Sequence, residues 1–528
     1  MTTSITRGVD RDRTWDVLII GGGITGAAIA YEAAATGLST ALVEKADFGG
    51  ATSAATGKLI HGGLRYLKNF ELGLVRESLA ERRNLSVIAP NLVVPFPMVL
   101  PEPGLVEHLG LTAYDVLSFD RNHGVDEGHH IPAHRMMSAE ELKAHGLGHI
   151  DKAILYYDCM MPHPERLTLA FIRSAVARGA QVENHTRVER LIVDDARVTG
   201  ARVIDAVSGE ASTLSARVVV NATGPWAYDL LASSPDTAAY AGHRPTSRSE
   251  GIYIVTRQLS DIMVLYVSEH GHFSFAPWRG HSLIGPTETA YKGEVDDWSL
   301  TGRAIDDFLA HINTTSRLPQ PLTREDVVTA FGGLRPLVES AGDDSYGASR
   351  ASEVVDHAAQ GLAGLLTATG GKYTTSRAFA EKVRRHIDDA LGRGHVASPT
   401  ADVPLDGCGV PSNDEGLGQG DATLDHLRSL YGSDASSVLT LAREHPELAE
   451  VVSDEGAVLA QVAFAVRHEA ALHLDDVLLR RTALGTLGHP GQARLQKIAQ
   501  VMGQELGWDT ARVAEEMSAA ERALRLPD

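Results

Sequence analysis

Residues 14–45 read TWDVLIIGGGITGAAIAYEAAATGLSTALVEK. Val17 to Ile20 is a short, wholly apolar run, the pattern of a strand buried on both faces. Gly21, Gly23 and Gly26 follow as G-x-G-x-x-G. Ile24 to Ala35, opened by Ile24 and Thr25, is rich in small residues and predicts a helix able to lie close to a sheet. Ala41 to Val43 predicts a second strand, with Glu44 and Lys45 at its end. Gly21 permits a tight turn, Gly23 lets backbone approach a pyrophosphate, and Gly26 lets helix and strand touch. The helix N-terminus offers N–H groups and a positive dipole end to phosphates. Glu44, 18 positions after Gly26, is placed to accept from a ribose 2′-OH. An acid there disfavours a 2′-phosphate, so the ligand is FAD or NAD rather than NADP.

The chain has 528 residues, enough for two or three domains, and its 43% hydrophobic and 22% charged residues are those of a globular protein. A net charge of −20 argues against nucleic acid as a partner. The two cysteines, Cys159 and Cys408, are far apart and imply a reducing compartment without a disulfide framework. A buried structural role for Cys159 outweighs a reactive thiol. No C-x-x-C or H-E-x-x-H occurs and the histidines at 123–149 fit no ligand set, so no metal site is expected. Residues 1–14 are polar and read as a disordered terminus without a secretory signal. Val17 to Tyr31 is uncharged but too short to span a bilayer. The expected location is the cytoplasm, with contact on the inner face of the cell membrane left open.

Phe48 to Gly57 is small and polar, suited to wrapping a phosphate or a flavin through Thr52 and Ser53. Lys58, His61, Gly62, Gly63, Arg65 and Tyr66 then fall within nine residues, with glycines that let backbone pass close to a ligand. GGGITGAAIA followed by ATSAATGKLIHGGLRYL resembles the FAD-dependent glycerol-3-phosphate dehydrogenases, quinone-linked flavoproteins of the D-amino-acid-oxidase-like superfamily. Their most specific run, S-x-K-L-I-H-G-G-L-R-Y-L, stands here as Thr56 to Leu67. The resemblance runs from about Asp16 to about Arg481 and implies FAD. It also implies an α/β Rossmann-like FAD-binding domain with an antiparallel β-sheet substrate domain and a C-terminal all-α cap.

RVVVNATGPW at 217–226 predicts a third parallel strand. Its Ala222-Thr223-Gly224 end resembles the A-T-G motif beside the flavin-side pyrophosphate, followed by Trp226. In that superfamily the strand holding Val188 lays backbone against adenine. Strands are expected at 252–256, 263–268, 273–277 and 282–285, an antiparallel set roofing the flavin. Three departures from the family stand out. PWRGHSLIGPTET keeps Thr287 but has Pro286 and Glu288 for Thr and Asp. RSEGIYIV puts Tyr253 where the family often has a histidine that serves as base or substrate ligand. MPHPERL replaces an acidic run. GGLRPL carries Arg335, matched with Arg350. TATGGKYTTSR at 367–377, with Gly371 and Lys372, resembles the segment at the flavin pyrimidine edge. Arg65, Arg335 and Lys372 are thus three cations in the expected pocket, and a phosphate monoester is the economical counter-ion.

The domain expectation is therefore a disordered 1–14, an FAD domain over 15–394 with the substrate sheet at about 80–165 and 244–335, a linker at 395–420, and a helical cap at 421–528. Asp475, Asp476, Arg480 and Arg481 of the cap read as a surface ion-pair face. Leu105 to Phe119 is an apolar segment for which interior packing is favoured over a membrane interface. The expected reaction is oxidation of sn-glycerol 3-phosphate to dihydroxyacetone phosphate, with a quinone as acceptor. Arg65, Arg335 and Lys372 hold the phosphate, Tyr66 and Thr287 orient hydroxyls, and His61 and Tyr253 stand on the proton path. Another polyol phosphate, such as a tetritol phosphate, or oxygen as acceptor remain alternatives. A homodimer is left open.

Overall fold

The computed structural model describes residues 2–528 apart from 65–66, 68–70, 243–247, 269–270, 317, 337–351, 371 and 410–420. Its first strand, Thr14–Ile20, lies inside an eight-stranded sheet in the order Glu353–Asp356, Leu365–Thr369, Ala211–Asn221, Thr14–Ile20, Thr40–Val43, Gln181–Glu183. All but the first of these run parallel. The register pairs Ile20 with both Val43 and Asn221, and Asn221 with Thr367. The carboxyl ends of four strands are therefore level, at the edge where such sheets open a ligand crevice. Three helices, Ile24–Ala35, Pro164–Val176 and Ser376–Leu391, cover one face around Ile29, Phe171 and Ile387. The hairpin Thr186–Asp194 and Arg197–Asp205 covers the other, around Trp15, Val203 and Leu365.

The second sheet has ten strands. The four expected segments appear as Arg248–Arg257, Met263–Ser268, Gly271–Trp278 and His281–Gly285. Val94–Pro101, Ala153–Met160, Leu59–Ile60 and Val327–Arg335 extend them. One pair departs from the antiparallel expectation: Met263–Ser268 runs parallel to Val94–Pro101. From Asp421–Tyr431 onward the described chain is helical, with its own core around Leu439, Phe464 and Ile498.

Several expectations fail because composition does not reveal distant partners. Residues 2–13 are not loose: the Ile5 N–H donates to the His468 carbonyl, Arg7 pairs with Asp205, and Arg11 with Glu183. The described part of the expected linker is mostly open to solvent but anchored at three points, with Thr400, Leu405 and Cys408 buried. Asp476 and Arg481 are not on a surface but fully buried. The apolar segment is the helix Leu105–Leu117, in which only Leu111 and Tyr114 are buried. Leu105 is 76% and Val116 67% exposed, and Phe119 beyond it 77%. Cys159 is buried, and burial pushes its thiol up to about 11.

Candidate active site

A cavity of about 1630 Å3 is lined by residues of both sheets. At its near end the level strand termini bring together Gly21, Gly23, Thr25, Glu44, Ala222 and Gly224. Gly21 has φ +108°, and a Cβ there would lie 2.6 Å from the Ala222 carbonyl oxygen. A Cβ at Gly26 would overlap the Gly21 carbonyl oxygen, so Gly26 acts inside the turn and not on the cavity wall. Ile24–Ala35 starts immediately after Gly23 and points its positive end at the cavity. The Ser53 hydroxyl accepts the Ile24 N–H at 2.9 Å, a cap supplied from 29 positions away. Thr52 donates to the Leu334 carbonyl, tying this loop to the strand that ends in Arg335.

Both Glu44 oxygens accept backbone N–H groups, Oε2 from Gly22 at 2.6 Å and Oε1 from Ala46 at 2.9 Å. Burial raises its pKa, opposed by those two bonds. The carboxylate is thus fixed before any ribose arrives. Val188 lies on the same wall. Lys45 stands 3.7 Å over the Trp226 ring, and Asp296 bonds both, at 3.2 Å to Lys45 Nζ and 2.6 Å from Trp226 Nε1. Asp296 follows the strand Thr289–Tyr291, so the second sheet closes this end of the cavity.

The expected substrate residues divide into those on the wall and those behind it. His61, Tyr253, Arg335 and Lys372 line the cavity. The His61 N–H donates to Thr374 Oγ1. Tyr253 stacks on Phe331 with centroids 5.4 Å apart, between Gly57 and Gly285, whose missing side chains make room for its ring. Arg335 stands opposite Ser249 in the sheet; Nη1 donates to Ser249 Oγ at 2.6 Å and Nη2 to the Thr287 carbonyl at 3.2 Å. Lys372 Nζ donates to Ser78 Oγ at 3.4 Å. Thr287 is off the cavity wall: its hydroxyl accepts the Ile252 N–H, so it braces Arg335 and the strand. Lys58 is also off the wall. It is buried, 3.9 Å from Glu165 and 4.6 Å over Trp278, and burial lowers its pKa against the pull of Glu165. Gly62 is off the wall too, with no space for a Cβ against Leu79 and Tyr114. Arg65, Tyr66, Arg350 and Gly371 lie outside the described residues.

Two features escaped the sequence reading. Asp47, on the cavity wall, takes Arg480 Nε and Arg481 Nη1, both at 2.7 Å. Asp476 joins them through Arg480 at 2.6 Å and His185 at 3.1 Å. Asp47, His185 and Asp476 bring ligand atoms within 4.8 Å of one another. The two arginines already neutralise that cluster, which makes it a weld between cap and FAD domain. The second is Asp158, on the wall one residue before Cys159. No local pattern marks it.

The cradle fits a dinucleotide: tight glycine backbone and a helix start at the strand ends, and a fixed acid beside them. Residues 16–377 match the FAD-dependent oxidoreductase family, and residues 398–513 match the C-terminal domain of alpha-glycerophosphate oxidase. A glycerol-3-phosphate dehydrogenase of Synechocystis sp. is 32% identical over 528 residues, covering 94% of each chain. One of Mycobacterium leprae is 34% identical over 527 residues, covering 96% of this chain and 87% of that one. The crystal structure of glycerol-3-phosphate dehydrogenase from Bacillus halodurans, complexed with FAD, superposes with a TM-score of 0.74 at 25% identity, covering 97% of this chain and 95% of that one. The chain belongs to the FAD-dependent oxidoreductases and, within them, to the glycerol-3-phosphate dehydrogenase family. It is an FAD-dependent enzyme.

Proposed function

We propose that the enzyme oxidises sn-glycerol 3-phosphate at C2 to dihydroxyacetone phosphate and delivers the electrons to a quinone. The observation that carries the substrate is a pair of cations on the wall of one cavity, Arg335 at the end of a strand of the second sheet and Lys372 in the loop that follows Leu365–Thr369 of the first. Arg335 is held by Ser249 and the Thr287 carbonyl with its guanidinium already oriented. Such a fork takes two phosphate oxygens at once, and Lys372 adds a point charge. Bound FAD supplies the two-electron acceptor for the C2 hydride. Of the wall groups His61 and Tyr253, His61 can take the C2 hydroxyl proton at an imidazole nitrogen, whereas Tyr253 can relay it, accepting at Oη only as its own phenolic proton leaves. Arg65 and Tyr66 remain proposed members of the set.

The quinone reading is supported by the far end of the cavity. Met98, Leu100, Leu105, Leu109 and Leu265 line it. A polyol phosphate gains nothing from such a wall, whereas a lipid-borne aromatic oxidant does. The helix Leu105–Leu117 carries exposed leucine and valine on the same segment, so peripheral contact with a membrane surface belongs to this reading. Among the described residues no helix is long and apolar enough to cross a bilayer. The rival substrate, another polyol phosphate, draws on Tyr253 in place of histidine.

The test is anaerobic loss of flavin colour with glycerol phosphate and with a tetritol phosphate, in wild type and in Arg335→Ala. Losing one partner of a desolvated charged contact costs about 2–5 kcal/mol. That lowers kcat/KM for glycerol phosphate roughly 30- to 5,000-fold. The variant keeps its flavin spectrum and loses its preference for glycerol phosphate over glycerol. A surviving preference would move the phosphate away from Arg335.

A further inference from the structure

The helix Leu105–Leu117 is tied to the protein mainly through its inner face, and one residue there does more than pack. Tyr114 lies in a small core with Val75 and Leu79. Its hydroxyl donates to the Asp158 carboxylate, 2.7 Å from Oδ1 and 2.8 Å from Oδ2, and accepts the Gly62 N–H at 2.8 Å. Arg82 Nη1 holds Asp158 Oδ1 at 2.5 Å and also reaches the Tyr157 carbonyl. Arg82, Tyr114 and Asp158 are all buried.

A phenol has one proton to give. Once the carboxylate takes it, the phenol oxygen is left as an acceptor, and Gly62 is the donor that fills it. No side chain is tolerated at position 62, because a Cβ would sit 2.5 Å from Tyr114 Oη and 2.5 Å from Leu79 Cδ2. The preceding N–H, that of His61, goes to Thr374 Oγ1 at 3.1 Å. Thr374 follows Lys372 and stands just before the helix Ser376–Leu391. Two consecutive N–H groups are therefore pinned to different parts of the protein. The two N–H groups belong to the two planar peptide units that meet at the His61 Cα, so pinning both holds the backbone angles of His61, and with them the direction in which it leaves the backbone towards the cavity.

We infer that Tyr114 is a positioning residue for the oxidation: braced by Asp158 and Arg82, its hydroxyl sets the His61–Gly62 peptide and so aims His61 at the cavity. Burial raises the Tyr114 pKa well above its ordinary value and also raises that of Asp158. The phenol thus keeps its proton, and Arg82 together with the Tyr114 and Gly62 hydrogen bonds opposes the rise at Asp158.

The inference rests on the proposed reaction, so it is tested with whichever polyol phosphate bleaches the wild-type flavin. If none does, the functional reading fails. If one does, the variants decide this point separately. Tyr114→Phe keeps the ring and removes the close anchor, leaving the Gly62 N–H only its longer contact with Asp158 Oδ1 at 3.4 Å. It should retain FAD and the substrate KM, while the single-turnover rate of flavin reduction falls roughly 10- to 100-fold, the scale of a 1 Å misplacement. Leu111→Ala loosens the same helix without touching the hydroxyl. It should lower Tm more than Tyr114→Phe does, yet keep the reduction rate within about twofold, below any misplacement of that size. Thr374→Val removes the opposite anchor and should slow reduction as Tyr114→Phe does. It carries the test by itself if Tyr114→Phe does not fold. A wild-type rate in Tyr114→Phe or in Thr374→Val overturns the proposal. So does a loss that merely follows Tm across Tyr114→Phe and Leu111→Ala.

Discussion

At the near end of the cavity the wall is backbone. Four level strand ends, a glycine turn and a helix start leave so little space that a Cβ at Gly26 collides with Gly21. At the far end the wall is side-chain hydrocarbon, and one side of it is a helix with two buried residues. The near end is over-determined and tolerates no change of shape, as a conserved chemical group such as a pyrophosphate requires. The far end is held by few contacts and can admit something greasy of variable length. Rigidity is placed where the cradle fits a dinucleotide, and looseness where the oxidant is proposed to arrive.

The comparison is most sharply tested by Gly26→Ala. Its Cβ meets a carbonyl oxygen that belongs to the turn itself, with no flexible side chain to yield. We expect a loss of about 3 kcal/mol or more and protein that purifies without flavin. A yellow, stable Gly26→Ala would mean that the near end is as forgiving as the far one. Next in size is Arg481→Met. Arg481 is fully buried against Asp47 at 2.7 Å, and Asp47 lines the near end. Arg481→Met leaves Asp47 with Arg480 as its remaining cation, so the loss should fall below the ~3–5 kcal/mol of a fully stranded charge. The expected readouts are a lower Tm and weaker FAD retention in dilution. Smallest is the pair Leu105→Asp and Leu109→Asp on the exposed helix. Both residues are more than half exposed, so stability should stay within about 0.5 kcal/mol and flavin content should not change. Sedimentation with lipid vesicles and turnover with a lipid-borne quinone should both fall. Unchanged sedimentation would remove the membrane from the account of the far end.

The contrast also explains what could be read from the chain. The places of Gly21, Gly23, Glu44 and Ala222 on the cavity wall were legible because each follows from its immediate neighbours: a glycine after a strand, an acid at a strand end. Arg335 and Lys372 were legible through glycine-flanked motifs. Asp47 was not, since Arg481 stands 434 positions away and nothing beside either residue announces the other. The same blindness made Asp476 and Arg481 read as a surface face, and Arg7 and Arg11 as part of a loose terminus. Thr287 and Lys58 keep the family's residue type but turn to brace the strand and Glu165. Periodicity distinguishes polar from apolar faces; it does not say whether an apolar face has a cover. That is why interior packing was expected for residues 105–119 and a mostly bare helix was found.

The strand order of the first sheet has a consequence for how the protein is made. The glycine turn emerges early in synthesis, but the neighbours of Thr14–Ile20 come from widely separated places, and the last parallel strand is Leu365–Thr369. At about 5–20 residues per second, the gap between making the first strand and the last is on the order of 20–70 s. During that interval the nascent chain carries an open sheet edge and half a cradle. The sheet edge that bears the cradle is therefore complete only once Leu365–Thr369 has been made, and a flavin entering then finds a sheet completed around it from both ends of the domain.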